Sequence, residues 1–407
     1  MINMERKTHV RPLIILFLYN VLYMAASGLL VPGIPLYLLT NGFDGNLVNI
    51  ILASIAMVSL LGQVIWGYFS DMMMTKLSFV ELGTIGYTIG YLILTFLRDK
   101  FTIAIVLIIS NFIGSASYPA AMALLADLSS VQSRGKSMGT FWSAASLGWA
   151  TSVAFTGFIV EKLGGKYLFV LCFLMYAVSF LLVYFGFQES HQSTEVRRST
   201  VKERKPILRS ILSLEGSFLV FLLGSVIFFM ADFVKNVYIP MFYAFELELG
   251  MTTATLLLSL TSWIELPTTI LFGSLSDKIG RKRVVLIGYI LCGIYMFINS
   301  LAQGFGEAVL AMCLYGVIWG AFSGASSALA SELVDESKRG FAMGLFNSSS
   351  NVASLLAPLS MGTLAQVLGY RPMFSLMGTF ILTACLLLML GVKEKASNSS
   401  DKQAEVY

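Results

Sequence analysis

The chain contains few charged residues, and this scarcity sets the first limit on its class. Asp, Glu, Lys and Arg make up 12% of its 407 residues, against about 25% in an average soluble protein. Hydrophobic residues make up 57%, and apolar runs of about 20 residues, the length that crosses a bilayer, recur along the whole sequence. The composition therefore argues against a soluble domain and predicts an all-α membrane protein.

Residue types that carry chemistry are also scarce. The only two histidines, His9 and His191, lie outside the apolar runs, while all four cysteines lie inside them. Such cysteines are typical of small buried apolar residues and not of disulfides or metal ligands. The sequence has no phosphate-binding Gly-x-x-x-x-Gly-Lys-Ser/Thr loop, no metal-ligand cluster and no nucleophile–base set. We therefore expect no cofactor, no enzymatic activity and no direct use of ATP.

The apolar runs predict twelve transmembrane helices. Their approximate limits are 12–40, 47–70, 78–97, 101–126, 138–160, 167–187, 216–244, 251–276, 283–302, 307–331, 341–367 and 372–392. The first run is too long for the apolar part of a signal peptide, so no cleavable signal is expected. The predicted domains are an N-terminal six-helix bundle (1–187), a polar linker (188–214), a C-terminal six-helix bundle (215–392) and a tail (393–407).

The basic residues predict an orientation. Most of the 27 Lys and Arg fall in the termini, the linker and the loops on the same side of the predicted membrane. Because cytoplasmic loops are enriched in Lys and Arg, both termini are expected in the cytoplasm and the protein in the cell membrane. The net charge of +4 reflects this loop bias, so no binding of nucleic acid is expected.

The two halves repeat each other with an offset of 205 residues. Arg134-Gly135-x-x-Met138-Gly139 recurs as Arg339-Gly340-x-x-Met343-Gly344, and Asp127 corresponds to Glu332. Six helices per repeat give two copies of the same orientation. Parallel six-helix repeats with a site at their interface are typical of secondary transporters.

The loop after the eighth helix carries the most specific motif, Gly273-Ser-Leu-Ser-Asp277-Lys-Ile-Gly280-Arg281-Lys-Arg283. This loop resembles the Gly-x-x-x-Asp-Arg/Lys-x-Gly-Arg/Lys-Arg/Lys motif of the major facilitator superfamily, and the resemblance covers nearly the whole chain. In the first half Gly67 and Asp71 are present, but Lys76 is the only base that follows.

The resemblance implies two bundles that alternate access to a central site, with a conformational latch in these loops. The latch residues it implies are Gly67, Asp71, Gly273, Asp277 and Arg281, with Asp127, Arg134, Glu332 and Arg339 as electrostatic partners. The alternative is that these residues supply only topological charge and tight turns.

Other family patterns match in part. Drug–proton antiporters of the superfamily often carry an Arg four residues before a Gly in the fourth helix, and Ser110 stands there before Gly114. The Pro that those proteins carry in their fifth helix is absent as well. Glu265-Leu266-Pro267 is similar to the Glu-Ile-Pro of bacterial sugar-efflux transporters.

Glu265 is the strongest functional candidate, because it lies near the middle of the eighth helix. A carboxylate at that depth costs at least roughly 2.5–3.5 kcal/mol and usually faces a cavity. Removal from water also favours the protonated form of a carboxyl group. We therefore expect Glu265 to carry protons, to bind substrate, or both; the alternative is a structural acid bonded to a neighbouring helix.

Asp232 and Lys235 are three residues apart in the seventh helix, where they can pair and neutralise each other. A structural ion pair and a proton-coupling site remain equally open. The candidate substrate-binding residues are polar or aromatic positions at helical spacing in several predicted helices. They are Asn20, Tyr23, Ser27, Asn111, Tyr118, Trp142, Trp149, Asn236, Tyr315, Trp319 and Asn347.

These residues predict a secondary transporter for a small organic molecule, drug-like or sugar-like, that works as a monomer with the lipid bilayer and protons as partners. Proton-coupled export is the first interpretation. Uptake by proton symport and uncoupled facilitation are the alternatives, and a transport-inactive membrane sensor on the same scaffold is a remote one. The mid-membrane acid Glu265 argues against the sensor.

Overall fold

The structure, a computed structural model of the chain, describes residues 2–73, 75–129, 134–187, 215–335 and 338–393, and within these the side chains of 2–11, 71 and 134–136 are not described. The described residues form helices and no strand. The predicted linker (188–214) and all but the first residue of the predicted tail lie outside the described residues.

Twelve of the helices are long and apolar enough to cross a membrane, which confirms the predicted fold class. In chain order they are α1 (Pro12–Thr40), α2 (Gly45–Ser70), α3 (Lys76–Phe96), α4 (Lys100–Leu128), α5 (Ser137–Gly164), α6 (Lys166–Gly186), α7 (Gly216–Glu246), α8 (Gly250–Ile279), α9 (Arg281–Leu301), α10 (Phe305–Glu332), α11 (Arg339–Leu368) and α12 (Tyr370–Gly391). Helices of this length satisfy their backbone hydrogen bonds internally, which lipid requires.

The helix ends repeat between the halves as the helices do. Gly164 and Gly369, 205 residues apart, both adopt positive φ angles, 102° and 90°. Each glycine makes the tight turn into the last helix of its half, α6 or α12. A residue with a side chain would be strained in this backbone region, so both positions require a glycine for the same reason.

Within each half the helices pack in corresponding pairs. In the first half α1 packs against α5 and α6, and α3 against α4 and α6; in the second half α7 packs against α11 and α12, and α9 against α10 and α12. Across the halves α5 packs against α8, and α2 against α11. A central interface therefore lies between the halves.

The interface is closed at one end of the bundle, called here the closed end. There the Tyr238 hydroxyl donates to Asn49 Oδ1 at 2.8 Å, and the backbone N–H of Gly157 donates to Thr255 Oγ1 at 2.9 Å. The backbone N–H and hydroxyl of Thr252 donate to Glu161 Oε2 at 2.9 and 3.0 Å. Residues of both halves meet in each contact.

The other end, called here the basic end, carries the turns between α2 and α3 and between α8 and α9. Four glycines near it, on the helices that pack across the interface, are Gly67, Gly139, Gly273 and Gly344. A side-chain carbon added at any of them would meet no atom within 4 Å. Each of these four glycines therefore has open space beside it.

Candidate functional site

An ionic cluster lies inside the second half, on α7 and α10. Lys235 Nζ lies 3.3 Å from Asp232 Oδ1 and 4.5 Å from the centre of the Tyr315 ring. The Tyr315 hydroxyl donates to Asp232 Oδ1 at 2.8 Å, and the Asn236 amide donates to Asp232 Oδ2 at 3.0 Å. One carboxylate thus accepts from three side chains, which offsets the cost of holding it within the membrane.

Glu265 lies half-way along α8, about 22 Å from Gly250 at 1.5 Å per residue. Its side chain is half-buried and lies close enough to Lys235 and Asp232 for their charges to act on it. Lys235 contacts Asp232 directly, whereas Glu265 acts on the pair from beyond the 4.0 Å of an ion pair. The structure therefore brings the three predicted proton-coupling residues into one electrostatic group.

Backbone contacts hold Glu265 in place. The Thr268 hydroxyl, one turn further along α8, donates to the Gly316 carbonyl of α10 at 2.9 Å. Gly316 and Gly320 have no room for a side chain, because a carbon at either would lie within 3 Å of α8 atoms. The glycines thus let α8 and α10 approach closely, and this packing fixes the part of α8 that carries Glu265 against α10.

The first half contains instead a group of tyrosines, called here the tyrosine cluster, from α1, α3, α4 and α6. Its members are Tyr23, Tyr87, Tyr91, Tyr118 and Tyr176. Tyr176 stacks on Tyr87 at 4.7 Å and on Tyr91 at 5.7 Å between ring centres, and Tyr23 stacks on Tyr118 at 5.4 Å. Offset stacking of this kind is favourable for aromatic rings, so the cluster forms a firm wall.

A cavity of about 240 Å³ lies between this wall and the second half. Its lining residues come from α1, α2, α3, α4, α6, α7 and α11. They are Ser27, Leu30, Val31, Ile34, Leu52, Ile55, Ala56, Ser59, Tyr87, Tyr91, Asn111, Tyr176, Phe233, Val237, Asn351 and Ser354. All of these described residues are uncharged, so the cavity offers apolar walls with hydroxyl and amide groups.

The predicted substrate-binding residues fall into separate places. Ser27 and Asn111 line the cavity, and Tyr23 and Tyr118 belong to the tyrosine cluster behind it. Asn236, Tyr315 and Trp319 lie instead around the ionic cluster, as the contacts above show.

The other four predicted residues do not line the cavity. The Asn20 amide is fully buried and donates to the Phe141 carbonyl at 2.6 Å, which ties α1 to α5. Trp142 is 52% exposed and Asn347 is exposed. Trp149 packs with its backbone against Gly28 of α1. Their placement favours packing or surface positions over substrate contact.

Several lining residues escape the sequence-based prediction, above all Tyr87, Tyr91 and Tyr176. Tyr87 and Tyr91 are four residues apart, so their common helix face is readable from the sequence. Nothing in the sequence shows that Tyr176 of α6 meets that face. Ser59 and Ser354 line the cavity from α2 and α11, but single serines in apolar helices give no distinguishing signal.

The predicted latch residues form ion pairs at corresponding positions of both halves. Lys76 Nζ lies 2.5 Å from Asp127 Oδ2, and Arg281, its counterpart 205 residues later, lies 3.5 Å from Glu332. Arg281 also pairs with Asp277 at 2.5 Å. All three pairs lie within a half. The first two join the start of α3 or α9 to the end of α4 or α10, and the third joins the start of α9 to the end of α8.

The remaining predicted latch residues are Gly67, Asp71, Arg134, Gly273 and Arg339. Gly67 and Gly273 face open space, and Arg339 is exposed at the start of α11. The side chains of Asp71 and Arg134 lie outside the described residues. No group of three or more His, Cys, Asp or Glu that could hold a metal is found in the part of the chain that the structure describes.

Comparison with known proteins agrees with this arrangement. A family model described as Major Facilitator Superfamily matches residues 16–251 and again 221–406. The MFS-type transporter MJ1560 of Methanocaldococcus jannaschii is 22% identical over 370 residues, which cover 91% of this chain and 95% of that protein. The multidrug resistance protein MdtG of Escherichia fergusonii is 28% identical over 183 residues, 43% of this chain and 44% of that protein.

The fold is also that of solved structures. A crystal structure of a D-xylose–proton symporter superposes with a TM-score of 0.74 at 17% identity and covers 95% of this chain and 98% of its own. At this identity the likeness concerns the fold alone. The family model, by contrast, matches both halves of the sequence, and the chain therefore belongs to the major facilitator superfamily of membrane transporters.

Proposed function

We propose that the protein exports a small organic molecule across the cell membrane in exchange for protons. The observation that carries this proposal is Glu265, a half-buried acid at the middle of α8 that acts electrostatically on the Asp232–Lys235 pair. An acid at this depth is expensive unless it serves a function. When Glu265 is protonated and neutral, the Lys235 ammonium would pair with the Asp232 carboxylate alone. When Glu265 loses its proton, the carboxylates of Asp232 and Glu265 would share the charge of Lys235.

The cargo would cross the membrane as the protein alternates between two states, each open to one side. The halves are closed on one side by contacts such as Tyr238 with Asn49, and four glycines at the basic end have open space beside them. With the basic end in the cytoplasm, as the loop charges predict, this is the state that admits cargo from inside the cell. The latch loops would bind across the interface in the opposite state. We infer a monomer, since each half completes the other's site.

Export is favoured over uptake by the similarity to a protein named for multidrug resistance. Uncoupled facilitation is the second candidate, and one observation favours it. At the position where related antiporters carry an Arg in the fourth helix, the Ser110 hydroxyl donates to the Val106 carbonyl at 2.5 Å. The α4 position is thus occupied by a residue satisfied within its own helix.

Flux in proteoliposomes tests the proposal. A compound that stabilises the purified protein against thermal unfolding serves as cargo, and its flux is measured with and without an imposed pH gradient. The wild type should respond to the gradient, and Glu265→Gln should transport without responding. Glu307→Gln is the matched control, because Glu307 is an exposed acid at the start of α10. A wild type whose flux ignores the gradient would refute proton coupling and favour facilitation.

A further inference from the structure

The ionic cluster and the cavity lie on different faces of α7. Phe233 and Val237, four residues apart, line the cavity, while Asp232 and Asn236, also four apart, bond to each other. Successive residues of a helix are about 100° apart around its axis, so these two pairs project in different directions. Lys235 is turned further still and is held by Asp232 and the buried Tyr315 ring of α10.

The cavity itself contains no counter-charge for an ion. Its described lining consists of aliphatic side chains, the rings of Phe233, Tyr87, Tyr91 and Tyr176, and the serines and asparagines given above. Removing a charged group from water without a partner is strongly unfavourable. The cavity is therefore expected to exclude ligands that carry a net charge of either sign.

The lining provides polar groups for the edge of a ligand. The Asn351 amide donates to Gln63 Oε1 at 3.3 Å, and the Asn111 amide donates to the Leu107 carbonyl of its own helix at 2.8 Å. Both hydrogen bonds use an N–H of the asparagine side chain. The amide oxygen of each asparagine is therefore left to accept from a hydroxyl or amide of the ligand. The hydroxyl groups of Ser27, Ser59 and Ser354 add donors and acceptors from three helices.

The size and shape of the cavity restrict the ligand further. A volume of about 240 Å³ is below the roughly 300–1,000 Å³ of most drug-sized pockets. Tyr87, Tyr91 and Tyr176 lie with their rings within 24° of parallel. A stacked wall of this kind suits a flat or ring-shaped partner, because a ring covers it with little loss of conformational freedom.

We propose that this cavity binds a small, electrically neutral molecule with one ring and a hydrogen-bonding edge, at a site separate from the ionic cluster. The proposal rests on the proposed function in taking this cavity as the cargo site. Two sources share the chemistry, namely a hydroxylated aromatic ring and a pyranose sugar. In either case the cargo contacts one face of α7, and the Asp232–Lys235 pair that responds to the proton on Glu265 lies on another face. Proton and cargo therefore communicate through movement of this helix and do not compete for one group.

Binding to the purified full chain tests the proposal without any gradient. The aromatic probes are 4-hydroxybenzamide, 4-hydroxybenzoate and tyramine, which share one ring and differ in charge. The sugar probes are methyl β-D-glucopyranoside and its open-chain counterpart sorbitol. Thermal stabilisation and equilibrium dialysis are the readouts. We expect one of the two neutral ring compounds to bind at least tenfold more tightly than the charged or open-chain probes.

Variants locate the binding. Ser59→Leu and Ser354→Leu fill the cavity from opposite halves and should each weaken binding of the neutral ring tenfold or more. Tyr176→Leu should do the same if it folds, and the serine variants keep the test valid if it does not. Tyr184→Leu is the matched control, because Tyr184 lies two turns further along α6 and is 44% exposed. Glu265→Gln should leave binding of the neutral ring within threefold.

Three results would overturn the proposal. They are tighter binding of a charged probe, binding of neither neutral ring at millimolar concentration, and loss of binding in Glu265→Gln with the serine variants unaffected. The outcome is independent of the flux experiment. Neutral-ring binding with gradient-independent flux supports the cavity and refutes proton coupling, whereas gradient-dependent flux of a charged cargo refutes the cavity assignment and supports proton coupling.

Discussion

The two halves of this transporter have the same helices and different interiors. At the offset of 205 residues, Asp232 corresponds to Ser27, Lys235 to Leu30 and Tyr315 to Ser110. The second half therefore holds a charged cluster where the first holds hydroxyl and aliphatic groups, and the first half instead has its tyrosine cluster. In the function proposed above, one scaffold thus separates a neutral surface for cargo from an ionic group for protons.

At the closed end, in contrast to the interior, corresponding positions of the two halves have the same role. Gly157 packs against α8 and its counterpart Gly362 against α2 and α7. Glu161 binds Thr252, and its counterpart Gln366 lies against Gly45. At these positions the two halves therefore resemble each other more at the closed end than in the interior.

Lys235→Met should give the largest effect, because it leaves Asp232 in the membrane without its cation. Removing one partner of a buried pair costs about 3–5 kcal/mol, and we expect about 3 kcal/mol because the Asp232 side chain is 21% exposed. Leu30→Met, at the corresponding position of the first half, should cost less than about 1.5 kcal/mol. The free energy of unfolding in detergent measures both.

A double variant sharpens that comparison. Asp232→Asn combined with Lys235→Met should be more stable than Lys235→Met alone, because it removes the unpaired charge. If Asp232→Asn and Lys235→Met were each as stable as the wild type, the ion pair would contribute nothing to stability. The proposed difference between the two interiors would then have no energetic basis.

Gly157→Ala should prevent the closed end from closing fully. The added carbon would lie 1.9 Å from the carbonyl oxygen of Met251, which belongs to the backbone and cannot rotate away as a side chain can. Overpacking costs about 1–3 kcal/mol, which should shift the protein away from the state described here. Gly139→Ala on the same helix is the control, because a carbon there meets nothing within 4 Å.

The reactivity of an introduced cysteine measures how far Gly157→Ala shifts the protein away from the state with the closed end shut. A cysteine introduced at Ser59 should react with a membrane-impermeant thiol reagent from the closed end faster in Gly157→Ala than in the wild type, with Gly139→Ala unchanged. Equal reaction rates in all three would show that the α5–α8 contact does not control access. The result with Gly362→Ala would then tell whether the α2–α11 contact alone closes this end.

The fold was predictable because it depends on composition. Apolar runs and loop charges gave all twelve helices, with most limits within three residues of the structure. The ionic group was predictable as well, since Asp232, Lys235 and Glu265 are costly within lipid and hence conspicuous. The cavity was less predictable because Tyr87, Tyr91 and Tyr176 come from α3 and α6, and a tyrosine in an apolar helix looks the same whether it packs or binds.

Tyr238→Phe should have a moderate effect confined to the closed end. It removes the 2.8 Å hydrogen bond to Asn49 and leaves a buried amide without its partner, at a cost of about 1 kcal/mol. The same thiol-accessibility measurement should show a smaller increase than in Gly157→Ala. Tyr167→Phe is the control, because Tyr167 is 41% exposed at the start of α6; an equal effect of both would point to nonspecific loosening.

Glu161→Gln should have the smallest effect, and it makes the α5–α8 contact resemble its counterpart, where Gln366 occupies the corresponding position. The carboxylate accepts from the backbone N–H and the hydroxyl of Thr252 at the start of α8. An amide oxygen can still accept, so only the added strength of the charge is lost, about 0.5 kcal/mol for a group near a helix start. The loss should shrink further in high salt, since ions screen this partly exposed carboxylate, and thermal unfolding at low and high salt measures it. A salt-independent loss would mean that geometry and not charge holds the contact, and the two closing contacts would then be equivalent in kind.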